Sequence, residues 1–252
     1  MMGVLNGVKA VVAFLTIFPA KTREPDSLET VAQYMPLFPF VGFAIGVVSG
    51  LAGLAFATLL PHVVAGLLTL GVILLITGVH HTDGLLDFGD GLMRRGTREE
   101  KLEAMRDTMT GAGGFALGAI VLLATAFSIS YLRTISIPLA IGSAETAAKS
   151  SMVLAAGIGK SAGQGMNTPF IKAMHGKQRG IRTVIPSLFT FSVGYISSGP
   201  AGLAGAAGSF LASWAIVWIS ERHFGGLTGD VFGAINDIGR MVALLALVAG
   251  VR

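Results

Sequence analysis

Residues 37–60 read LFPFVGFAIGVVSGLAGLAFATLL, a run of twenty-four positions with no charged side chain. A helix of about 20 apolar residues is long enough to cross the hydrocarbon core of a bilayer, so this run predicts a transmembrane helix. The rest of the chain agrees, because 52% of its 252 residues are hydrophobic and only 13% are charged. A soluble domain carries about twice that charged fraction. We therefore predict an integral membrane protein.

The chain contains six further apolar runs, at residues 63–79, 112–132, 137–158, 184–198, 201–219 and 238–251. They predict an all-α fold, a polytopic membrane-embedded helical bundle of about seven spans in which residues 1–252 form a single domain. Gly199 and Pro200 separate two of the runs and predict a hairpin there. Residues 4–18 are apolar but short, and they predict either an N-terminal interfacial helix or a short buried one. The absence of cysteine excludes disulfide scaffolds, thiolate metal sites and cysteine nucleophiles.

The distribution of charge predicts the topology. Fourteen of the eighteen Lys and Arg residues, and thirteen of the fourteen acidic residues, lie in four polar segments, at residues 20–36, 80–111, 159–182 and 220–240. Since Lys and Arg favour the cytoplasmic side, we expect a multi-pass protein of the cell membrane whose chemistry faces the cytoplasm. The basic residues separate apolar runs, so membrane lipid and not nucleic acid is the expected surrounding. Gly-rich runs such as 201–208 permit close helix pairing and favour a homo-oligomer.

The segment HHTDGLLDFGDG, residues 80–91, carries the most chemistry. On a helix, Asp83, Asp87 and Asp90 stand at i, i+4 and i+7 and share one face. Three like charges on one face repel each other, and oxygen ligands without cysteine favour Mg²⁺, with Mn²⁺ as the alternative. A solvated polar face at a helix end would explain the same pattern more simply. The glycines at 84, 89 and 91 weaken a helix, which suggests that a ligand approaches the backbone there.

Basic residues follow directly, and a metal site beside cations suits a phosphate or pyrophosphate group. A positive-inside loop would explain any one of these basic residues equally well. We prefer the three that lie closest to acidic residues, Arg94, Arg95 and Arg106. Asp107 precedes a glycine-rich helix start and is a candidate fourth metal ligand.

The remaining candidate functional residues are two histidines and a pair of opposite charges inside an apolar run. His81 lies two residues before Asp83 and could orient a ligand or act as a base, and His80 is the weaker candidate. Glu145 lies inside an apolar run with Lys149 four residues later. Such a pair is equally compatible with a structural and a functional role.

These motifs resemble the cobalamin-5'-phosphate synthase family, also called adenosylcobinamide-GDP ribazoletransferases. The resemblance covers nearly the whole chain and rests on HTDGLLDFGDG at 81–91, MRDTMTG at 105–111, GLTGDVFGA at 226–234, FLTIFP at 14–19 and FPFVG at 38–42. Residues 145–165 match less well, and Lys160 stands where an arginine is expected.

The resemblance implies a Mg²⁺-dependent membrane phosphotransferase that performs the last step of nucleotide loop assembly in cobalamin biosynthesis. It would join adenosylcobinamide-GDP to alpha-ribazole or its 5'-phosphate, giving adenosylcobalamin or its 5'-phosphate, and release GMP. It implies a metal on Asp83, Asp87, Asp90 and Asp107, and a proton acceptor that is His81 or a carboxylate. Arg94, Arg95 and Arg106 would offset phosphoryl charge, and the remaining substrate- or phosphate-binding candidates are Thr228, Asp230 and Asn236.

Two alternatives stay open. Asp87, Asp90, Gly91, Arg94 and Arg95 also resemble the opening of the CDP-alcohol phosphotransferase signature of lipid head-group enzymes, but Gly111 stands where that signature has its last aspartate. A cation transporter is a different class, in which acidic residues and Glu145 would line a path. The acidic motif, however, lies at the end of an apolar run and not in the middle of one.

Overall fold

The computed structural model describes residues 2–19, 28–163 and 165–250. Lys21, Arg23 and Arg252, which entered the charge count, and residues 20–27 of the first polar segment lie outside these ranges. Eleven α-helices form in the described part of the chain, and no β-strand does. They are α1 (Met2–Leu15), α2 (Leu28–Gln33), α3 (Phe38–Leu59), α4 (His62–Thr77), α5 (His80–Met93), α6 (Arg98–Ala104), α7 (Ala112–Ser130), α8 (Ile137–Ile158), α9 (Thr168–Met174), α10 (Arg179–His223) and α11 (Gly229–Ala249). The predicted all-α class is confirmed.

When membrane spans are counted by the length and apolar composition of the helices, the described residues contain fewer spans than predicted. Within the described residues four helices, α3, α7, α10 and α11, are long and apolar enough to cross a membrane. A fifth span arises if α4 and α5, which meet at an angle of 98°, are counted together. Seven spans are therefore not confirmed. α8 is as long as α3, with 22 residues, but Glu145 and Lys149 lower its apolar character.

Helix α10 is a hairpin and not one straight rod. The backbone leaves helical geometry at Ser198 and Gly199, where Gly199 has φ 57° and ψ −135°, a conformation that favours glycine. The rings of Phe191 and Phe210, nineteen positions apart, have centroids only 5.6 Å apart, so the two arms run side by side. The predicted hairpin around Gly199 and Pro200 is confirmed.

Helix α8 lies at the centre and packs against α3, α10 and α11. Three glycines spaced four apart on α3 let its backbone touch α8. A Cβ on Gly42 would lie 2.7 Å from the Glu145 carbonyl oxygen, one on Gly46 2.5 Å from the Ile141 carbonyl oxygen, and one on Gly50 2.5 Å from Pro138 Cα. This repeated small-residue spacing is the packing device of membrane helices, where close backbone contact replaces the hydrophobic effect.

Helix α5 lies against α7 and α11, again through glycine. A Cβ on Gly84 would lie 2.8 Å from Asp230 Cα, and one on Gly89 2.9 Å from Gly114 Cα. The glycines of the acidic segment thus serve contact with neighbouring helices, and not the approach of a ligand to the backbone that we expected. The same contacts hold the start of α11 beside the acidic face of α5.

The N-terminal helix is half buried, which favours the second of the two predicted alternatives. Ala10, Val11 and Leu15 are buried, whereas Val4 and Leu5 are exposed. Phe14 of α1 stacks on Phe38 at the start of α3, with centroids 5.9 Å apart. The end of α1 is therefore part of the core next to the acidic segment.

Candidate active site

A strained turn directs the acidic helix. Between α4 and α5, Gly78 has φ 68° and Val79 has φ 64°. A left-handed conformation is unfavourable for a β-branched residue and costs about 1–3 kcal/mol, so the surrounding fold must hold Val79 in place. The consequence is a sharp change of direction immediately before His80 and His81.

The acidic residues of α5 are brought together with a carboxylate from α11. Asp83 is exposed, and Asp87 and Asp90 are half-buried. The negative charge of Asp87 is repelled by Asp230, Asp83 and Asp90. Asp230, which the sequence suggested only as a substrate-binding residue, therefore belongs to the same cluster as the three predicted aspartates. We call Asp83, Asp87, Asp90 and Asp230 the acidic cluster.

Asp90 has a second role, because its carboxylate caps α7. Its Oδ2 accepts a hydrogen bond from the Gly111 N–H at 2.7 Å and its Oδ1 one from the Gly114 N–H at 2.8 Å. An anion at a helix N-terminus satisfies free N–H groups and interacts favourably with the helix dipole. The glycine-rich start of α7 thus binds an anion of the protein itself.

Asp107 is exposed and is held in its own loop, where Oδ1 accepts a hydrogen bond from the Met109 N–H at 3.0 Å. It is not among the carboxylates that repel Asp87. In the described part of the chain, no three His, Cys, Asp or Glu side chains are arranged closely enough to hold a metal ion. The structure therefore brings three of the four predicted ligands near each other and leaves the fourth apart.

The basic residues fall into two groups. Arg94, Arg95 and Arg106 are exposed, and Arg106 attracts Asp230 electrostatically. Arg98 instead donates a hydrogen bond to the Ala162 carbonyl oxygen, and so ties α6 to another loop. Arg94 and Arg95 directly follow α5, so all three preferred arginines remain free to meet an anionic ligand.

Helix α6 is built around a capping box. The Glu100 N–H donates to Thr97 Oγ1 at 3.3 Å, and Glu100 Oε2 accepts from the Thr97 N–H at 2.7 Å. The second hydrogen bond lowers the pKa of the Glu100 carboxyl, because it stabilises the charged form. The cap fixes the start of the segment that leads to Arg106 and Asp107.

Two adjoining cavities open at the acidic cluster. The larger, of about 430 Å³, includes His80, His81, Asp83 and Asp230 in its wall. The smaller, of about 230 Å³, is lined by Arg106, Thr228 and Asp230 among others. They share the wall residues Met166, Asn167, Gly229 and Asp230. Thr228 also caps α11, since its Oγ1 accepts from the Val231 N–H at 3.3 Å.

A buried ion network lies beneath this site. Glu145 pairs with Lys149 at 2.7 Å and with Arg240. Arg240 Nη1 in turn pairs with Asp237 Oδ1 at 2.8 Å, and Thr82 Oγ1 donates to Asp237 Oδ2 at 2.7 Å. All five side chains are buried. The network therefore joins α8 and α11 to the residue that precedes Asp83.

Sequence reasoning missed Arg240 as a partner of Glu145, and Asp237 as a partner of Arg240. The sequence did contain a signal. Asp237 and Arg240 are oppositely charged, stand three positions apart near the start of an apolar run, and so resemble the Glu145–Lys149 pair. Charged residues in membrane helices usually pair with one another. Asn236 also belongs to this network: it is fully buried and its Nδ2 donates to Asp237 Oδ1 at 2.9 Å. It is not in the wall of either cavity.

Comparison with known proteins gives a consistent result. The family model for cobalamin-5-phosphate synthase matches residues 7–248. The adenosylcobinamide-GDP ribazoletransferase of Methanocella arvoryzae is 36% identical over 95% of this chain and 94% of its own length. Those of Pyrococcus abyssi (32% identical, 95% and 97%) and Methanosarcina mazei (31% identical, 96% and 91%) are also similar. No solved structure shows significant similarity to the chain.

Proposed function

This chain belongs to the cobalamin-5-phosphate synthase family and is a transferase of cobalamin biosynthesis, and we propose that it is a Mg²⁺-dependent phosphotransferase that uses adenosylcobinamide-GDP and alpha-ribazole or its 5'-phosphate. The products would be adenosylcobalamin or its 5'-phosphate, and GMP. The observation that carries the proposal is the convergence of Asp83, Asp87 and Asp230 from two helices beside Arg106, with Asp83 and Asp230 in the wall of the larger cavity.

The donor set fits a divalent cation. Its ligands are carboxylate oxygens only, which Mg²⁺ and Mn²⁺ prefer, and their mutual repulsion is relieved when a cation binds. Asp83, Asp87 and Asp230 would hold it after their side chains move closer together than they stand in the described structure, with Asp90 shared with the cap of α7. Asp107 would have to leave its loop hydrogen bond to join them. When bound, the cation would neutralise charge on the pyrophosphate oxygens of the donor.

The transfer exchanges one phosphorus–oxygen bond for another. A ribose hydroxyl oxygen of the acceptor bonds to the phosphorus that carries cobinamide, while the bond from that phosphorus to the GMP oxygen breaks. The hydroxyl proton passes to His81 or Asp83, which both line the larger cavity, and GMP leaves with the bonding electron pair. Arg94, Arg95 and Arg106 offset the negative charge that develops on the phosphoryl oxygens.

We further propose that the protein works as a homo-oligomer in the lipid of the cell membrane, with this site on the cytoplasmic side. The charge distribution supports the orientation, because Arg94, Arg95 and Arg106 lie at the end of α7 that Asp90 caps. The other end of α7 is followed by a single basic residue, Arg133, before α8 begins. The excess of Lys and Arg marks the cytoplasmic side of a membrane protein.

The experiment measures GMP release by the purified protein in detergent with adenosylcobinamide-GDP, alpha-ribazole and Mg²⁺. We expect release that needs all three components and stops with EDTA. GMP release without ribazole would indicate a hydrolase instead of a transferase. A folded protein that releases no GMP would contradict the proposal, and CDP-alcohol donors and then cation flux in vesicles would test the two alternatives.

A further inference from the structure

The larger cavity has an aromatic wall that the reaction at the acidic cluster does not explain. Four phenylalanines from α1, α3, α9 and α11 line it: Phe14, Phe38, Phe170 and Phe232. The centroids of Phe14 and Phe170 are 5.4 Å apart, and those of Phe170 and Phe232 are 6.3 Å apart. Phe38, Phe170 and Phe232 are buried behind Phe14, which is half-buried and offers the ring face on which a planar aromatic ligand can stack.

The polar groups of the same cavity are few and none is a Lys or Arg of the described chain. They include Asp83, Asp230 and His81. His81 is 9% exposed, and its Nδ1 has no hydrogen-bond partner in the described structure. The cavity thus suits a neutral aromatic molecule with a polar group at one end.

We propose that this cavity binds the planar base of the ribazole acceptor and that the smaller cavity, beside Arg106, receives the phosphoryl groups. The inference deepens the proposed function and rests on it. The cavity volume of about 430 Å³ is within the range of small-molecule sites. With the base beside Phe14, the ribose would lie towards Asp83 and towards Asp230, which is in the wall of both cavities.

The alternatives fit this wall less well. The pyrophosphate of the donor needs the proposed cation and Arg106, and the phenylalanine side of the larger cavity offers neither. Guanine presents a row of hydrogen-bonding atoms that phenylalanine and methionine would leave unpaired, and unpaired buried polar groups are costly. The benzimidazole ring of ribazole has one free ring nitrogen and is otherwise apolar.

The test replaces Phe14 by Leu, which removes the ring but keeps an apolar side chain. The matched control is Phe191→Leu, an equally half-buried ring that packs on Phe210 in the α10 hairpin. Because an aromatic contact contributes about 0.5–1.5 kcal/mol beyond its buried area, we expect the KM for alpha-ribazole to rise about threefold to tenfold in Phe14→Leu. The KM for adenosylcobinamide-GDP should stay within about twofold in both variants. Ala13→Leu, which narrows the same cavity, provides a second variant if Phe14→Leu does not fold.

Calorimetry with benzimidazole, the ring without its ribose, tests the cavity independently of turnover. We expect wild-type protein and Phe191→Leu to bind it and Phe14→Leu to bind it more weakly. A rise in the KM for adenosylcobinamide-GDP, or GMP competing with benzimidazole, would assign the cavity to the donor and overturn the inference. If both Phe14→Leu and Ala13→Leu released GMP with an unchanged KM for alpha-ribazole, the assignment of the cavity to the base would be wrong. The proposed function would still stand. Absence of GMP release from the wild type would instead reject the proposed function, and benzimidazole binding would still decide the cavity.

Discussion

Replacing Glu145 by Gln should destabilise the protein strongly, because it leaves two buried cations facing one anion. Glu145 contacts Lys149 at 2.7 Å and also pairs with Arg240, and none of these side chains is more than 1% exposed. At an effective dielectric constant of about 20, each such contact is worth about 4–6 kcal/mol before desolvation is subtracted. Removal of one partner from a buried pair typically costs about 3–5 kcal/mol.

The loss should be visible as a lower melting temperature of the purified protein in detergent. For a chain of this size about 1 kcal/mol corresponds to about 2–4 °C, so we expect the midpoint to fall by about 6–20 °C. Glu103→Gln removes the same charge from an exposed position on α6 and serves as the control. Its midpoint should change little, since exposed substitutions stay within about 0.5 kcal/mol.

The double variant Glu145→Gln with Lys149→Met tests whether the destabilisation comes from unbalanced buried charge or from the loss of the Glu145 carboxylate itself. It leaves Arg240 and Asp237 as a neutral pair, 2.8 Å apart. We expect it to be more stable than either single variant, with a coupling free energy of about 2 kcal/mol or more. A stable Glu145→Gln protein, or a double variant no more stable than the singles, would refute the charge-balance argument. If Glu145→Gln were stable but inactive in GMP release, Glu145 would have a functional role.

Three further predictions concern the site. Asp87→Asn should reduce Mg²⁺-dependent GMP release at least about 100-fold while leaving the melting temperature equal or higher, because one of four repelling carboxylates loses its charge; wild-type turnover would remove the metal site. Asp90→Asn should lose activity, and its free energy of unfolding should fall by about 0.5–2 kcal/mol because the cap of α7 is weakened. An unchanged melting temperature would show that the cap contributes nothing to stability. Gly84→Ala places a Cβ 2.8 Å from Asp230 Cα and should lower both stability and GMP release. In the control variant Gly71→Ala the new Cβ meets nothing within 4 Å, so stability and GMP release should be preserved. Equal behaviour of the two variants would contradict the packing argument.

The sequence was most informative about structural features that depend on a single helix. The apolar runs and the break at Gly199 predict helices and a hairpin, because span length and backbone preference are local properties. The face shared by Asp83, Asp87 and Asp90 also follows from local spacing alone. The position of Asp230 does not, because it depends on α11 meeting α5 at Gly84. Likewise, nothing in the sequence near Asp90 shows that its carboxylate binds the N–H groups of Gly111 and Gly114.

The buried network and the acidic cluster are neighbours, but the network is neutral whereas the acidic cluster contains only negatively charged side chains. Glu145, Asp237, Lys149 and Arg240 sum to zero charge and contact one another directly. They therefore cannot compensate the charges of Asp83, Asp87 and Asp230, although Thr82 joins the two groups through Asp237. The neutral network ties α5 to α8 and α11 and leaves the repulsion among the carboxylates of the acidic cluster unrelieved. This excess of negative charge is the reason for placing the proposed metal and the pyrophosphate of the donor at the acidic cluster.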